Sequence, residues 1–114
     1  MKKFCFLKRE RLLKRAEFLT TSKQGKKLYT DCFIVFILKK KSNNRIGIVV
    51  SKKIGNAVKR NKIKRIIREY YRHNKSKISG PKDINIVAKK QISLFSNKEI
   101  RIKLDKLFNK IESV

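Results

Sequence analysis

A cluster of cationic side chains with helical spacing is the feature of this sequence that could carry chemistry. Residues 52–72 contain nine Lys and Arg side chains and one acid, Glu69. At about 100° per residue, one side of the segment is apolar and comprises Ile63, Ile66, Ile67, Tyr70 and Tyr71. The opposite side comprises Asn61, Lys64, Arg65, Arg68 and Arg72, with Arg60 and Lys62 at its edges. Such a helix can pack on a sheet and offer cations to phosphates, although a merely solvated basic face has the same pattern.

The charge of the whole chain also indicates a polyanionic partner. Over 114 residues the net charge is +25 and the sequence pI is about 10.6, far beyond what solubility requires. This balance is typical of proteins that bind nucleic acid or an anionic membrane surface. The longest apolar run, Cys32–Leu38, is too short to span a bilayer, and charges at 8–11 interrupt any signal peptide. The sequence therefore favours nucleic acid and predicts no membrane association.

The residues needed for catalysis by the protein itself are scarce. The chain has one histidine, His73, and eight Asp and Glu residues scattered along its length. Cys5 and Cys32 are far apart and lack the spacing of a zinc site, so we expect two reduced thiols in a cytosolic protein. The sequence therefore offers few residues for general acid–base or metal–carboxylate catalysis. We therefore predict no catalytic residue, no metal site and no tightly bound cofactor.

The elements around the basic segment follow from hydrophobic periodicity. We predict a helix over Ala57–His73 with Asn56 as its N-cap. The apolar runs Asp31–Lys39 and Arg45–Lys52 are predicted to form an antiparallel hairpin. A third strand, Asp83–Lys89, follows the helix, so a parallel βαβ pairing is expected, right-handed by default.

The two ends of the chain complete the predicted fold. Residues 1–11 are expected to be a loosely ordered basic arm, and Lys14–Lys23 a short helix ended by Gly25. Ser96 and Glu99 have capping-box spacing and open a last helix near Asn97–Glu112. Its apolar stripe comprises Ile100, Leu104, Leu107, Phe108 and Ile111. The prediction is one α/β domain over residues 1–114 with the order α-β-β-α-β-α.

The segment Ser51–Glu69, SKKIGNAVKRNKIKRIIRE, resembles the signature of the bacterial ribonuclease P protein subunit. One fixed position differs, because Lys62 stands where the second arginine of an Arg-Asn-Arg motif is usual. Further similarity lies in LKR-x-x-F at Leu13–Phe18, in Gly25, and in INIVAKK at residues 84–90. The resemblance covers most of the chain and preserves spacing.

The resemblance implies a two-layer α/β sandwich whose βαβ crossover is left-handed, contrary to the general default. It also implies a cytoplasmic RNA-binding subunit that assists the catalytic RNA of ribonuclease P. That RNA uses Mg²⁺ to remove the 5′ leader from precursor tRNA, and the protein binds both the RNA and the single-stranded leader. No obligate protein partner is implied.

The resemblance also assigns roles to particular residues. Ribozyme binding is implied for Ser51, Lys52, Lys53, Asn56, Arg60, Asn61, Lys62, Lys64, Arg65 and Arg68. A leader-binding groove is implied for Phe18, Ile34 and Phe36. From the residues alone, core packing is the favoured interpretation for Phe18, and Asn61 could equally bond its helical neighbours. Ser22 departs from the family, which often has an aromatic residue there.

Three other functions compete with this interpretation. A ribosomal protein of similar size and charge would have a structural role and no effect on precursor tRNA. A self-sufficient nuclease would need a carboxylate cluster or a histidine pair, which the sequence lacks. A helix-turn-helix DNA-binding protein would need a second short helix before the basic one.

Overall fold

The computed structural model describes Lys23 and residues 25–39, 44–78 and 82–112. The predicted arm and groove residue Phe18 lie outside these residues, as do Ser22 and all of the first predicted helix except Lys23. The strands are β1 (Lys26–Tyr29), β2 (Phe33–Lys39), β3 (Arg45–Val49) and β4 (Lys82–Ala88). The helices are α1 (Ala57–Asn74) and α2 (Asn97–Glu112). Short 3₁₀ turns lie at Lys52–Ile54, Lys75–Lys77 and Lys90–Leu94.

The strands form one mixed sheet in the order β1-β2-β4-β3. β4 pairs antiparallel with β2 and parallel with β3. The predicted β2–β3 hairpin is therefore wrong, because β4 lies between these strands and takes the backbone hydrogen bonds of both. The predicted parallel βαβ unit, β3–α1–β4, is confirmed, while the left-handedness of its crossover remains a prediction.

A part-buried ion pair joins the start of β3 to the start of β4. Asp83 at the start of β4 is 1% exposed, and Arg45 at the start of β3 binds it with two hydrogen bonds. Arg45 Nε lies 2.9 Å from Oδ1, and Nη2 lies 2.7 Å from Oδ2. The backbone N–H of Lys82 also donates to Asn44 Oδ1 at 2.7 Å. A buried carboxylate needs such partners, so these contacts favour the observed strand order.

The edge strand β1 was not predicted from the sequence. It is four residues long, mostly exposed, and pairs antiparallel with β2. Thr30 closes the connection: its N–H donates to the Phe33 carbonyl, and its hydroxyl oxygen accepts from the Phe33 N–H, both at 2.9 Å. Because Lys26 and Lys27 supply half of the strand, its sequence lacks the apolar run that identifies a strand.

One face of the sheet and the apolar stripes of both helices form a single core. Strand alternation buries Phe33, Val35 and Ile37 and leaves the intervening side chains of β2 half-buried. Both predicted stripes are confirmed: α1 buries four of its five residues, leaving Tyr70 half-buried, and α2 buries all five. Burial of each Leu or Ile side chain contributes about 1.5–3 kcal/mol to the free energy of folding, relative to leaving it exposed.

The predicted helix caps are present. The Asn56 side-chain oxygen accepts from the Lys59 N–H at 2.9 Å at the start of α1. In α2, the Ser96 N–H donates to Glu99 Oε1 at 3.0 Å, and the Glu99 N–H donates to Ser96 Oγ at 3.2 Å. These reciprocal bonds form the predicted capping box and fix where α2 begins.

Candidate nucleic-acid interface

The side of α1 that points away from the core carries the cations predicted from the sequence. Burial of Ile63, Ile66, Ile67 and Tyr71 sets the rotation of the helix. We name the opposite side the basic face; it comprises Arg60, Asn61, Lys62, Lys64, Arg65 and Arg68. Asn61, Lys62, Arg65 and Arg68 are exposed, and Arg60 and Lys64 are half-buried. Arg60 lies at the border of the core, where its Nε is buried, and the contact of all six residues with RNA stays a prediction.

The segment that leads into α1 adds two exposed lysines. Ser51, Lys52 and Lys53 are exposed, whereas Ile54 is buried and anchors the 3₁₀ turn. The Ile54 N–H donates to the Ser51 carbonyl at 3.1 Å, which closes that turn. Asn56 is exposed, but its side-chain oxygen already caps the helix. Structural capping therefore accounts for one of the two polar groups of the Asn56 amide.

Lys59 has a positioning role that the sequence did not indicate. Its aliphatic chain lies over Gly55, where an added Cβ would come within 2.9 Å of Lys59 Cδ. Its ammonium group donates to the Ser93 carbonyl at 3.5 Å. Lys59 thus links the start of α1 to the turn Lys90–Leu94 across the small surface of Gly55.

The electrostatics of α1 favour an anionic ligand at its start. The first turn contains no acid, although an acid there would interact well with the helix dipole. Lys59, Arg60 and Lys62 stand near this positive end, at a cost of about 0.3 kcal/mol or more for each cation. A phosphate bound at the start of α1 would interact favourably with the helix dipole and reduce the mutual repulsion of the cations.

The sheet surface opposite the helices carries the predicted groove residues Ile34 and Phe36. We name this surface the outer face. Cross-strand pairs share a face, so the register places Tyr29, Ile34, Val87 and Val49 in one row across all four strands. The next row comprises Lys27, Phe36, Asn85 and Gly47. Lys27 Nζ lies 5.5 Å from the centroid of the Phe36 ring, within cation–π range.

Asn85 is a polar residue in an otherwise apolar strand, and sequence analysis gave it no role. It is 3% exposed, and among the described residues no group donates a hydrogen bond to its buried side-chain oxygen. Leaving a buried acceptor unsatisfied costs about 1–3 kcal/mol of stability, so Asn85 is an unusual polar residue in the row of Phe36. The signal in the sequence was the single amide within the run Ile84–Val87.

Comparison with protein families identifies the chain that carries these two surfaces. The sequence model of the family described as Ribonuclease P matches residues 6–112. The chain belongs to the ribonuclease P protein family. The match includes the basic face, the segment leading into it and every strand of the sheet.

Individual members of the ribonuclease P protein family support this assignment along the whole chain. The ribonuclease P protein component of Desulforapulum autotrophicum is 51% identical over 112 residues, covering 97% of this chain and 96% of the relative. The protein component of Geobacter sp. is 47% identical over 107 residues, with coverage of 93% and 91%. The similarity therefore extends well beyond the signature segment.

Solved structures of ribonuclease P proteins have the same fold. The Staphylococcus aureus RNase P protein matches with a TM-score of 0.84 and 37% identity, covering 88% of this chain and 93% of that one. The Thermotoga maritima RNase P protein matches with a TM-score of 0.81 and 38% identity, covering 90% and 97%. The predicted α/β fold class is confirmed, and family membership makes this chain a component of a ribonucleoprotein.

The described titratable groups of this ribonuclease P protein lack two features of a catalytic site. Within the described residues, no group of three or more His, Cys, Asp or Glu side chains could hold a metal ion. Cys32 is a buried, reduced thiol, and burial raises its pKa to about 11, so it is protonated at neutral pH. A protonated thiol is a poor nucleophile.

Neither described helix is long and apolar enough to cross a membrane.

Proposed function

We propose that this chain binds the catalytic RNA of ribonuclease P through its basic face and holds the 5′ leader of precursor tRNA on its outer face. One observation carries this proposal. The apolar row of the outer face ends at Val49, the last residue of β3, and the exposed cationic segment begins two residues later at Ser51. A strand lying on the sheet would therefore lead directly to the surface that engages the larger RNA.

Binding of the catalytic RNA is proposed to rest on phosphate contacts. The exposed guanidinium groups of Arg65 and Arg68 can each engage a phosphate with two hydrogen bonds. Lys62 supplies a point charge without the planar fork of arginine, so its contact would be less directional. Phosphate contacts carry no sequence information, but they fix the register of a protein on its nucleic acid.

Leader binding is proposed to rest on stacking and on local positive charge. The half-buried Phe36 ring and the neighbouring Ile34 offer an apolar surface, and Lys27 supplies a cation above the ring. Base–aromatic stacking contributes about 1–3 kcal/mol per base and tolerates any base. Such contacts suit an enzyme that must accept leaders of many sequences.

The hydrolysis itself is assigned to the RNA subunit with Mg²⁺. The protein would act in the cytoplasm, with the catalytic RNA and precursor tRNA as its partners. Its contribution is to position the leader and to lower electrostatic repulsion between the two RNAs. Cations at the junction of two polyanions reduce the concentration of Mg²⁺ needed to bring the RNAs together.

The leader contact is tested by replacing Phe36 with Ala in the reconstituted holoenzyme. Loss of one stacked base should weaken binding of precursor tRNA about 5- to 150-fold and leave mature tRNA unaffected. Phe36→Tyr, which keeps the ring, is the matched control and should bind normally. Equal affinity losses for precursor and mature tRNA, or a lower melting temperature alone, would assign Phe36 to packing instead.

A further inference from the structure

Tyr29 is an exposed aromatic residue on the outer face and does not belong to the hydrophobic core. It ends strand β1 and is 61% exposed. Its cross-strand partner is Ile34, so its side chain lies on the same face as Phe36. The neighbouring Leu28 packs against the core, which confirms that β1 alternates between the two faces.

The distance between Tyr29 and Phe36 suits two bases of one strand. Tyr29 is opposite Ile34, and Phe36 follows Ile34 by two residues, so Tyr29 and Phe36 are diagonal neighbours. Diagonal neighbours in an antiparallel pair are about 7–8 Å apart, within reach of aromatic side chains on a shared ligand. Lys27 lies on the same face of β1, directly opposite Phe36, with its ammonium group over the Phe36 ring.

Charge excludes a second copy of this protein as the occupant of this surface. Two copies would each bring a net charge of +25, and Lys26 and Lys27 precede Tyr29 on an exposed edge strand. Edge lysines oppose strand-to-strand association. A surface that combines the exposed Tyr29 ring, the half-buried Phe36 ring and the Lys27 cation instead fits single-stranded RNA, which presents bases and phosphates in alternation.

We propose that Tyr29 is a second leader-stacking residue, which extends the Phe36 surface to the edge strand of the sheet. The inference rests on the proposed leader contact and adds a residue to it. Row by row, Phe36 with Lys27 holds one nucleotide, and Tyr29 with Ile34 holds a neighbouring one. The edge position leaves the Tyr29 ring accessible from the side as well as from above.

The first test measures affinity of the reconstituted holoenzyme for precursor tRNA and for mature tRNA. Tyr29→Ala should weaken precursor binding at least about fivefold, and mature tRNA binding should be unchanged. Tyr29→Phe should bind normally because the ring is retained. Ile102→Ala, which removes a side chain 46% exposed on α2, is the control and should have no effect. Unchanged precursor affinity in Tyr29→Ala overturns the inference.

A second test uses the absence of tryptophan from the chain. Tyr29→Trp introduces a single indole, whose fluorescence should be quenched by precursor tRNA and much less by mature tRNA. Ile102→Trp should respond equally to both RNAs. Equal quenching of Trp at position 29 by both RNAs contradicts the inference.

The Phe36 variant separates failure of this inference from failure of the proposed function. If Phe36→Ala loses leader-dependent affinity and Tyr29→Ala does not, the leader lies on the outer face without reaching β1. If neither substitution changes leader-dependent affinity, the leader contact itself is wrong.

Discussion

Removing three cations from the basic face should change both the strength and the salt dependence of RNA binding. The variant is Arg60→Ala, Lys64→Ala and Arg68→Ala together, which lowers the net charge from +25 to +22. Each lost phosphate contact reduces the slope of log K against log salt by about 0.7–0.9, so three contacts reduce it by about 2–3. The triple variant should therefore bind the catalytic RNA more weakly and with a flatter salt dependence.

The slope also sets the size of the affinity loss at each salt concentration. With a slope change of about 2.4, affinity at about 0.15 M salt falls about 100-fold, and at about 0.5 M salt only about fivefold. The fold should be retained, because Ala is a good helix former and Arg60 opposes the helix dipole. The assay is titration of the catalytic RNA at several salt concentrations, with melting temperature as the check on folding.

A charge-matched control separates local contacts from the overall charge. Lys98→Ala, Arg101→Ala and Lys106→Ala also lower the net charge to +22, and all three residues are exposed on α2. The control should change the slope by much less than 2. The assignment of the basic face is refuted if the basic-face variant keeps the slope of log K of the unmodified protein. It is also refuted if the slope changes equally in the basic-face variant and in the α2 control.

Two further predictions concern the fold that carries these surfaces. Arg45→Ala should lower the free energy of unfolding by about 3 kcal/mol, since it takes from the buried Asp83 its arginine partner, and urea denaturation measures this. Arg45→Lys should recover only part of the loss, and an unchanged midpoint would show that the ion pair does not fix β3 beside β4. The Cys32 thiol has an ordinary pKa of 9.0 that burial raises to about 11 in the fold. In a Cys5→Ser background, alkylation of native protein should thus be slow at pH 9 and rise toward pH 11, whereas urea-unfolded protein should react near pH 9. Equal rates for the two states at pH 9 would contradict the burial of Cys32.

The raised pKa of the Cys32 thiol also makes the free energy of unfolding depend on pH. Because the folded pKa lies above 9.0, the unfolded state binds fewer protons between pH 9 and 11, so stability falls as pH rises through that range. Below pH 9 both states carry the proton, and the contribution is fully present. The direction is therefore loss of stability at alkaline pH.

Periodicity along the chain was enough to predict both helices and the caps that begin them. The stripe of α2 from Ile100 to Ile111 and the capping box at Ser96 depend on local spacing, which the sequence displays directly. The basic face of α1 was predictable for the same reason, because burial of one stripe determines what the other side offers to solvent.

Strand order was not predictable from local patterns. β2 and β3 are neighbours in sequence, so a hairpin was the simplest expectation, yet β4 separates them. The contact that joins β3 to β4, between Arg45 and Asp83, spans 38 residues and has no periodic signal in the sequence. β1 was missed because its pairing with β2, not its own composition, makes it a strand. Tyr29 could be placed on the outer face only once that pairing was known.

Whether the protein assists an RNA catalyst is decided by a cleavage assay with separated components. Precursor tRNA is incubated at low magnesium concentration with the ribonuclease P RNA of the same organism, with this protein, or with both. We expect 5′-leader removal only when both are present. Cleavage by the protein alone, or an RNA reaction that the protein does not stimulate, would show that the protein does not act as the helper of an RNA catalyst.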